Sequence, residues 1–355
     1  MSLSPEYLTL ARTLHPGDLW WAEHYTFLLS RGYQLRKRFK PGWVPSWELP
    51  GNDPWPSAYE DFQPAPARGN VLDAVRITDG VKVVLKIVRT RNEADLTIYF
   101  GNTLREGEPS AANRAVPVLE VISTLYETLI VLPFLREFLK LPFVRIGEVT
   151  EALRQFLQGM QHLHSHNIAH RDLGPGNLMM DASRVVPKGW HMCAADSHDL
   201  PILSTKLKSK PRYSVAPVSY YIIDFGLATQ FPPSISVEDA RSVGRFGQYW
   251  RDIPELSDTI PYNPFKVDIF MLGNVIKTFL VEEYHGLDVF RGLGERMTAT
   301  NPDERPSASE CLDMFERLAS GINPKCPVLA RDSGSERKSR FRSILKRFVS
   351  RIPSC

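Results

Sequence analysis

His170-Arg171-Asp172-Leu173-Gly174-Pro175-Gly176-Asn177, followed 47 residues later by Asp224-Phe225-Gly226, constrains this chain more than any other feature. Each motif ends an apolar run. Val149, Leu153, Phe156, Leu157, Met160 and Leu163 share one helical face and lead into the first. Val218 to Ile223 reads as a buried strand and leads into the second. The bland reading of Asp172 and Asn177 is a capped turn, since Asp, Gly and Asn favour loops. Two motifs in this order, each closing a regular element, argue against it.

The 355 residues are enough for two lobes with a substantial core. At 43% hydrophobic and 23% charged, the composition is that of an ordinary soluble globular chain. No apolar stretch reaches about 18 residues, so no transmembrane helix is expected. Met1 to Trp20 lacks the basic start and apolar core of a signal peptide. Cys193, Cys311, Cys326 and Cys355 have no C-x-x-C spacing, which predicts neither a zinc site nor a disulfide framework. The expected setting is intracellular, cytoplasmic or nuclear. Net charge is +3, but residues 329–355 hold eight Lys or Arg against two Asp or Glu, leaving the remainder at −3. The basic character belongs to the tail, and no nucleic-acid partner is expected.

Residues 1–60 are rich in Trp and Pro and are expected to pack on the body, with Trp20 to Gly32 as one amphipathic helix ended by Gly32. A partner-binding arm is the alternative. Val71 to Ile77 and Val81 to Val88 read as a hairpin around Asp79-Gly80, with Lys86 in the second strand. Glu93 to Leu104 reads as a helix, and Val116 to Ile122 and Thr128 to Leu132 as further strands. From Gly147 the pattern is helical, with strong apolar helices at Phe265 to Leu280 and Ala308 to Leu318. The domain reading is an extension (1–60), a small sheet-rich lobe (61–132), a helical lobe (133–322) with an irregular insertion (182–216), and a linker with a basic tail (323–355). His162, His164, His166 and His170 suggest metal ligands at first sight. With no Cys or carboxylate cluster beside them, they read as closing the helix.

A sheet-rich small lobe before a helical large lobe, with these motifs at the junction, resembles the eukaryotic protein kinase superfamily over roughly residues 68–320. The Trp-rich flank, the insertion and Pro261-Tyr262-Asn263-Pro264-Phe265-Lys266-Val267-Asp268 resemble divergent kinase-like families abundant in fungi. The resemblance implies a two-lobed α+β fold that uses ATP and Mg²⁺. It implies Asp172 as base, Asn177 and Asp224 as metal ligands, and Arg171 as the residue that pairs with a phosphorylated activation loop. Lys86, in Val83-Val84-Leu85-Lys86, would hold the α- and β-phosphates, paired with an acidic residue, of which Glu93 leads and Glu106 and Glu108 are alternatives. Gly69 would belong to the phosphate loop, and Leu132 and Phe134 to the adenine-binding hinge. Glu255 and Arg305 would form a structural pair, and Asp268 a buried anchor; these favour a protein kinase over a small-molecule phosphotransferase.

Three departures stand against that resemblance. Pro64-Ala65-Pro66-Ala67-Arg68-Gly69 keeps one glycine of the phosphate loop, Gly174 stands where a Lys is usual, and Gln248 follows Gly247 where a Thr is usual. Arg68 or a residue of the insertion is a candidate replacement cation. The intact metal ligands favour a slow or specialised kinase, Ser/Thr by default and acting on a protein, over a pseudokinase scaffold. In the tail, Phe341, Ile344, Leu345, Phe348, Val349 and Ile352 recur at helical spacing among Lys and Arg. Residues 337–352 read as a basic amphipathic helix for an anionic membrane surface or a partner.

Overall fold

The structure, a computed structural model, describes residues 5–66, 69–103, 112–124, 126–198, 207–245 and 253–331. Helices α1 (Pro5–Arg12), α2 (Pro16–Glu23) and α3 (Tyr25–Ser30) precede strand β1 (Tyr33–Leu35). Then come β2 (Val71–Arg76), β3 (Lys82–Val88), α4 (Arg91–Thr103), β4 (Glu120–Ser123) and β5 (Thr128–Pro133). The strands form one antiparallel sheet in the order β1-β2-β3-β5-β4. The sheet therefore begins inside the segment expected to be an extension, since Tyr33 pairs with Arg76 and Leu35 with Ala74.

Strand alternation divides the sheet's two faces. Val83, Leu85 and Ile87 bury themselves against Trp21, Tyr25, Leu28 and Phe39, so α2 and α3 cover one face. Val84, Lys86 and Val88 point to the other face, toward the large lobe. Each fully buried large apolar side chain there contributes about 1.5–3 kcal/mol. Arg38, buried with Asp18, fastens this layer: its Nε donates to Asp18 Oδ2 at 3.1 Å and its Nη2 to Thr13 O at 2.6 Å. The single helix expected over Trp20 to Gly32 is two, divided at His24, whose ring Nδ1 lies 2.8 Å from Trp20 O. The strand expected from Val116 is confined to β4. Pro117 has no N–H to donate to a ladder, and Val116 N instead bonds Ile222 O of the large lobe at 3.0 Å.

The large lobe follows. It contains β6 (Arg136–Glu137), α5 (Ile146–Ser165), β7 (Ile168–Ala169), β8 (Leu178–Met180), β9 (Tyr220–Ile222), β10 (Thr229–Gln230) and α6 (Pro264–Asn274). It ends with β11 (Tyr284–His285), α7 (Arg291–Met297), α8 (Ala308–Ser320) and β12 (Leu329–Ala330). The apolar helix expected over Phe265 to Leu280 is α6 continued by a π-helical stretch, Val275–Val281. The core of this lobe is the inner face of α5, with Val149, Leu153, Phe156 and Met160 fully buried in one cluster with side chains of α6 and α8.

Residues 323–331 do not form a free linker. Ile146 N donates to Cys326 O at 2.9 Å, Val328 N to Val144 O at 3.0 Å, and β12 pairs with β11. The basic tail 337–352 lies outside the described residues, as do Arg68, Glu106, Glu108, Gly247 and Gln248. Among the described residues, no helix is long and apolar enough to cross a membrane.

Candidate active site

Three elements meet where β3, α4 and the Asp224 turn converge. Lys86 Nζ lies 2.6 Å from Glu93 Oε1 and 2.8 Å from Asp224 Oδ1. Glu93 is thus the acidic partner of Lys86, set one helical turn before Thr97, whose hydroxyl donates to Glu93 O at 2.7 Å. Burial opposes the charge on Lys86, but Asp224 and then Glu93 outweigh it and hold the ammonium pKa above its usual value. Burial likewise opposes ionisation of Asp224, and Lys86 outweighs it, keeping that carboxyl below the usual range. Both groups are therefore charged at neutral pH.

Asp224 adopts the left-handed conformation at φ +68°. A non-glycine residue there costs about 1–2 kcal/mol. Neighbouring contacts fix it. Phe225 is fully buried, stacked on Phe100 of α4 at 6.1 Å and meeting His170 edge-on at 5.3 Å. With Phe225 wedged under α4, the adjoining carboxylate is turned toward Lys86.

The loop after β7 is anchored from below by Asp268 of α6, which is wholly buried. Asp268 Oδ2 accepts from His170 N at 2.7 Å and lies 2.9 Å from His164 Nε2. Its Oδ1 accepts from Arg171 N at 2.6 Å. These bonds hold Arg171 at φ +66°. Asn177 then ties the loop to itself, donating from Nδ2 to Asp172 O at 2.8 Å and Asp172 Oδ2 at 2.9 Å. With the amide nitrogen committed, the carbonyl Oδ1 of Asn177 is the atom left for a cation. Gly174 is buried, and its carbonyl accepts from Asn177 N at 3.0 Å.

The sequence places Leu132 and Phe134 at the hinge, and they lie at the end of β5, where Pro133 pairs with Val83. Phe134 stacks on Trp190 of the insertion at 4.7 Å, with Lys82 Nζ over its ring. The insertion reaches farther, placing His191 Nε2 3.1 Å from Glu60 Oε1. Glu255 and Arg305 form the expected pair: Arg305 Nη2 donates to Glu255 Oε2 at 2.9 Å, and Nη1 to Oε1. Gly69 also packs against α2. At φ +65° it meets Gly17 of α2, where an added Cβ would lie 2.9 Å from Gly17 Cα, and its carbonyl accepts from Trp21 Nε1 at 2.9 Å. This contact accounts for the glycine without a phosphate. Residues 36–70, 35 in all, separate β1 from β2 in the sequence.

The donor set suits Mg²⁺ and a triphosphate. Magnesium takes few protein oxygens and completes its shell with phosphate and water. No cluster of three or more His, Cys, Asp or Glu that could enclose a metal occurs among the described residues, while Asp224 and Asn177 offer oxygens beside a cation. Val71, Val84, Leu135, Met179 and Ile223 are only half-buried, so apolar surface is left for a planar ring. A cavity of about 300 Å³ among Arg36, Glu60, Asp73 and Lys82 is lined by neither Lys86 nor Asp224.

The model of the protein kinase domain family matches residues 67–290, over half of the chain. The chain belongs to the protein kinase family. Over 43 residues this kinase is 40% identical to a probable serine/threonine-protein kinase MRK1 homolog of Encephalitozoon cuniculi (strain GB-M1). That match covers 12% of the kinase and spans 14% of the relative's length. His164, Thr229 and Tyr262 surround the His170–Asn177 loop, and sequence reasoning placed neither His164 nor Tyr262 there. His164 carried a signal, lying one residue after Leu163 on the buried side of α5; Tyr262 lies in the Pro261–Asp268 phrase, which did not reveal this contact.

Proposed function

We propose that this kinase transfers the γ-phosphoryl group of ATP, with Mg²⁺, to a serine or threonine hydroxyl of a protein. The observation that carries the reading is the Lys86 ammonium held between Glu93 and Asp224, at 2.6 and 2.8 Å. A fixed cation beside a metal-binding carboxylate is what phosphate oxygens require. Bound Mg²⁺ would neutralise charge on the phosphates, with Asn177 Oδ1 and Asp224 as its protein ligands. Lys86 would orient the phosphates. Asp172, oriented by Asn177 Nδ2 at 2.9 Å, would take the proton of the attacking hydroxyl. Leu132 and Phe134 would flank the adenine.

Gly174 makes the reaction slow. One cation on the transferring phosphoryl group is worth about 10³–10⁵ in rate by the arginine-finger scale. A scaffold that transfers nothing is the second reading, favoured by Gly174 and by the use of Gly69 against Gly17. Asp268 and the Glu255–Arg305 pair favour a protein over a small-molecule substrate. The test is transfer of radiolabelled γ-phosphate to a broad protein panel by the wild type and Asp172→Asn. Signal lost in the variant supports the reading; no signal from the wild type, with Mg·ATP bound, moves it to the scaffold.

A further inference from the structure

Tyr262 lies between the loop after β7 and residues 242–244. Its hydroxyl accepts from Arg171 Nη2 at 3.2 Å and donates to Gly244 O at 2.6 Å. Its backbone exchanges both hydrogen bonds with Ser242, each at 2.9 Å. Arg171 meets the same segment directly, donating from Nη2 to Val243 O at 2.9 Å, and meets Thr229 Oγ1 from Nη1 at 3.0 Å. Tyr262 and Arg171 are both buried. Gly244 itself is pinned, its N donating to Ser257 O at 2.7 Å at φ +109°.

We propose that Tyr262 is a positioning residue for phosphoryl transfer, which sets residues 242–244 on Arg171 through uncharged hydroxyl and carbonyl contacts. The inference rests on the phosphotransferase reading above. A phosphate on the loop would hold Arg171 by charge. Here the tyrosine hydroxyl does so from a rigid neighbour, since Asn263, the next residue, caps α6 by accepting from Phe265 N at 2.9 Å. The arrangement joins the loop carrying Asp172 to the start of α6 before any modification is added. It predicts that turnover does not require prior phosphorylation of Thr229.

The test compares wild type, Tyr262→Phe, Thr229→Val and Tyr262→Phe/Thr229→Asp, all treated with phosphatase. Two readouts are used: hydrogen exchange of residues 242–245, which needs no catalysis, and steady-state phosphoryl transfer. Tyr262→Phe should raise exchange in 242–245 and lower kcat about tenfold or more, the scale of one hydrogen bond to a charged group. The KM for ATP should hold, because Lys86, Glu93 and Asp224 are untouched. A carboxylate at position 229 gives Arg171 a charged partner and should restore kcat to within about threefold, which simple loss of packing would not allow. Unchanged exchange and kcat in Tyr262→Phe, a loss that Thr229→Asp does not rescue, or a phosphatase-treated wild type that turns over only after rephosphorylation would each overturn the proposal. Were the wild type to transfer no phosphate at all, the phosphotransferase reading would fall. The exchange arm would still decide whether Tyr262 holds the segment.

Discussion

Asp268→Asn should unfold the catalytic loop's support at a cost that can be worked from three contacts. In the wild type, Asp268 Oδ2 accepts from His170 N at 2.7 Å and faces His164 Nε2 at 2.9 Å, while Oδ1 accepts from Arg171 N at 2.6 Å. An asparagine keeps the shape but offers one acceptor oxygen. Whichever way its amide turns, an NH₂ faces a backbone N–H, either of His170 or of Arg171. That N–H is buried and loses its acceptor, at about 1–3 kcal/mol. The surviving bonds lose their charge assistance, roughly another 1 kcal/mol each. The total is about 3–5 kcal/mol. At roughly 2 °C per kcal/mol for a large domain, the thermal midpoint should fall by about 6–10 °C. Urea unfolding followed by tryptophan fluorescence gives the free energy, and exchange of the Arg171 amide reports the loop itself. A variant within about 1 kcal/mol of wild type, with Arg171 still protected, would refute the view that Asp268 anchors this loop.

Arg305 is fully buried against Glu255. Arg305→Met should therefore cost about 3–5 kcal/mol, whereas Arg305→Met with Glu255→Met should recover most of that loss; a double variant no better than the single one would contradict a coupled buried pair. Gly69→Ala forces a Cβ against Gly17 at a positive φ, and should cost on the order of 1–2 kcal/mol with the KM for ATP unchanged. A rise in KM without loss of stability would return Gly69 to the phosphate loop. Burial and the neighbouring His166 push the His162 imidazole from 6.5 down to about 4. Since the folded value is the lower one, its stabilisation is whole above about pH 6.5 and is lost as pH falls toward 4. His162→Gln should flatten that acid slope, and an unaltered slope would sink the assignment.

The catalytic loop, Lys86 and the Glu255–Arg305 pair were legible because their chemistry is carried by residue type and short spacing. Glu93 was legible from its helix, since Leu96 and Phe100 continue its stripe. The first strand was not. Tyr33-Gln34-Leu35 is three residues long, follows a helix directly, and becomes a strand only because β2 offers an edge. Pro117 already marked the break in the expected strand over Val116 to Ile122, but the crossing of Val116 to Ile222 was not legible locally. The route of residues 323–331 was also hidden. Its bonds go to Val144 and Ile146, far away in sequence, and Asn, Pro and Lys there read locally as linker. Gly69 has a structural use that the sequence did not show. A glycine in the expected place served a helix contact, because close approach and positive φ are requirements that several neighbours can impose.

Lys86, Asn177 and Asp224 would together form a magnesium-dependent nucleotide site. Calorimetric titration of ATP, with and without Mg²⁺, into wild type and Asp224→Asn tests it most directly. Binding by the wild type should tighten with Mg²⁺, and that metal dependence should be lost in the variant while the fold persists by circular dichroism. Equal, metal-independent binding by both proteins, or no binding by a folded wild type, would contradict it.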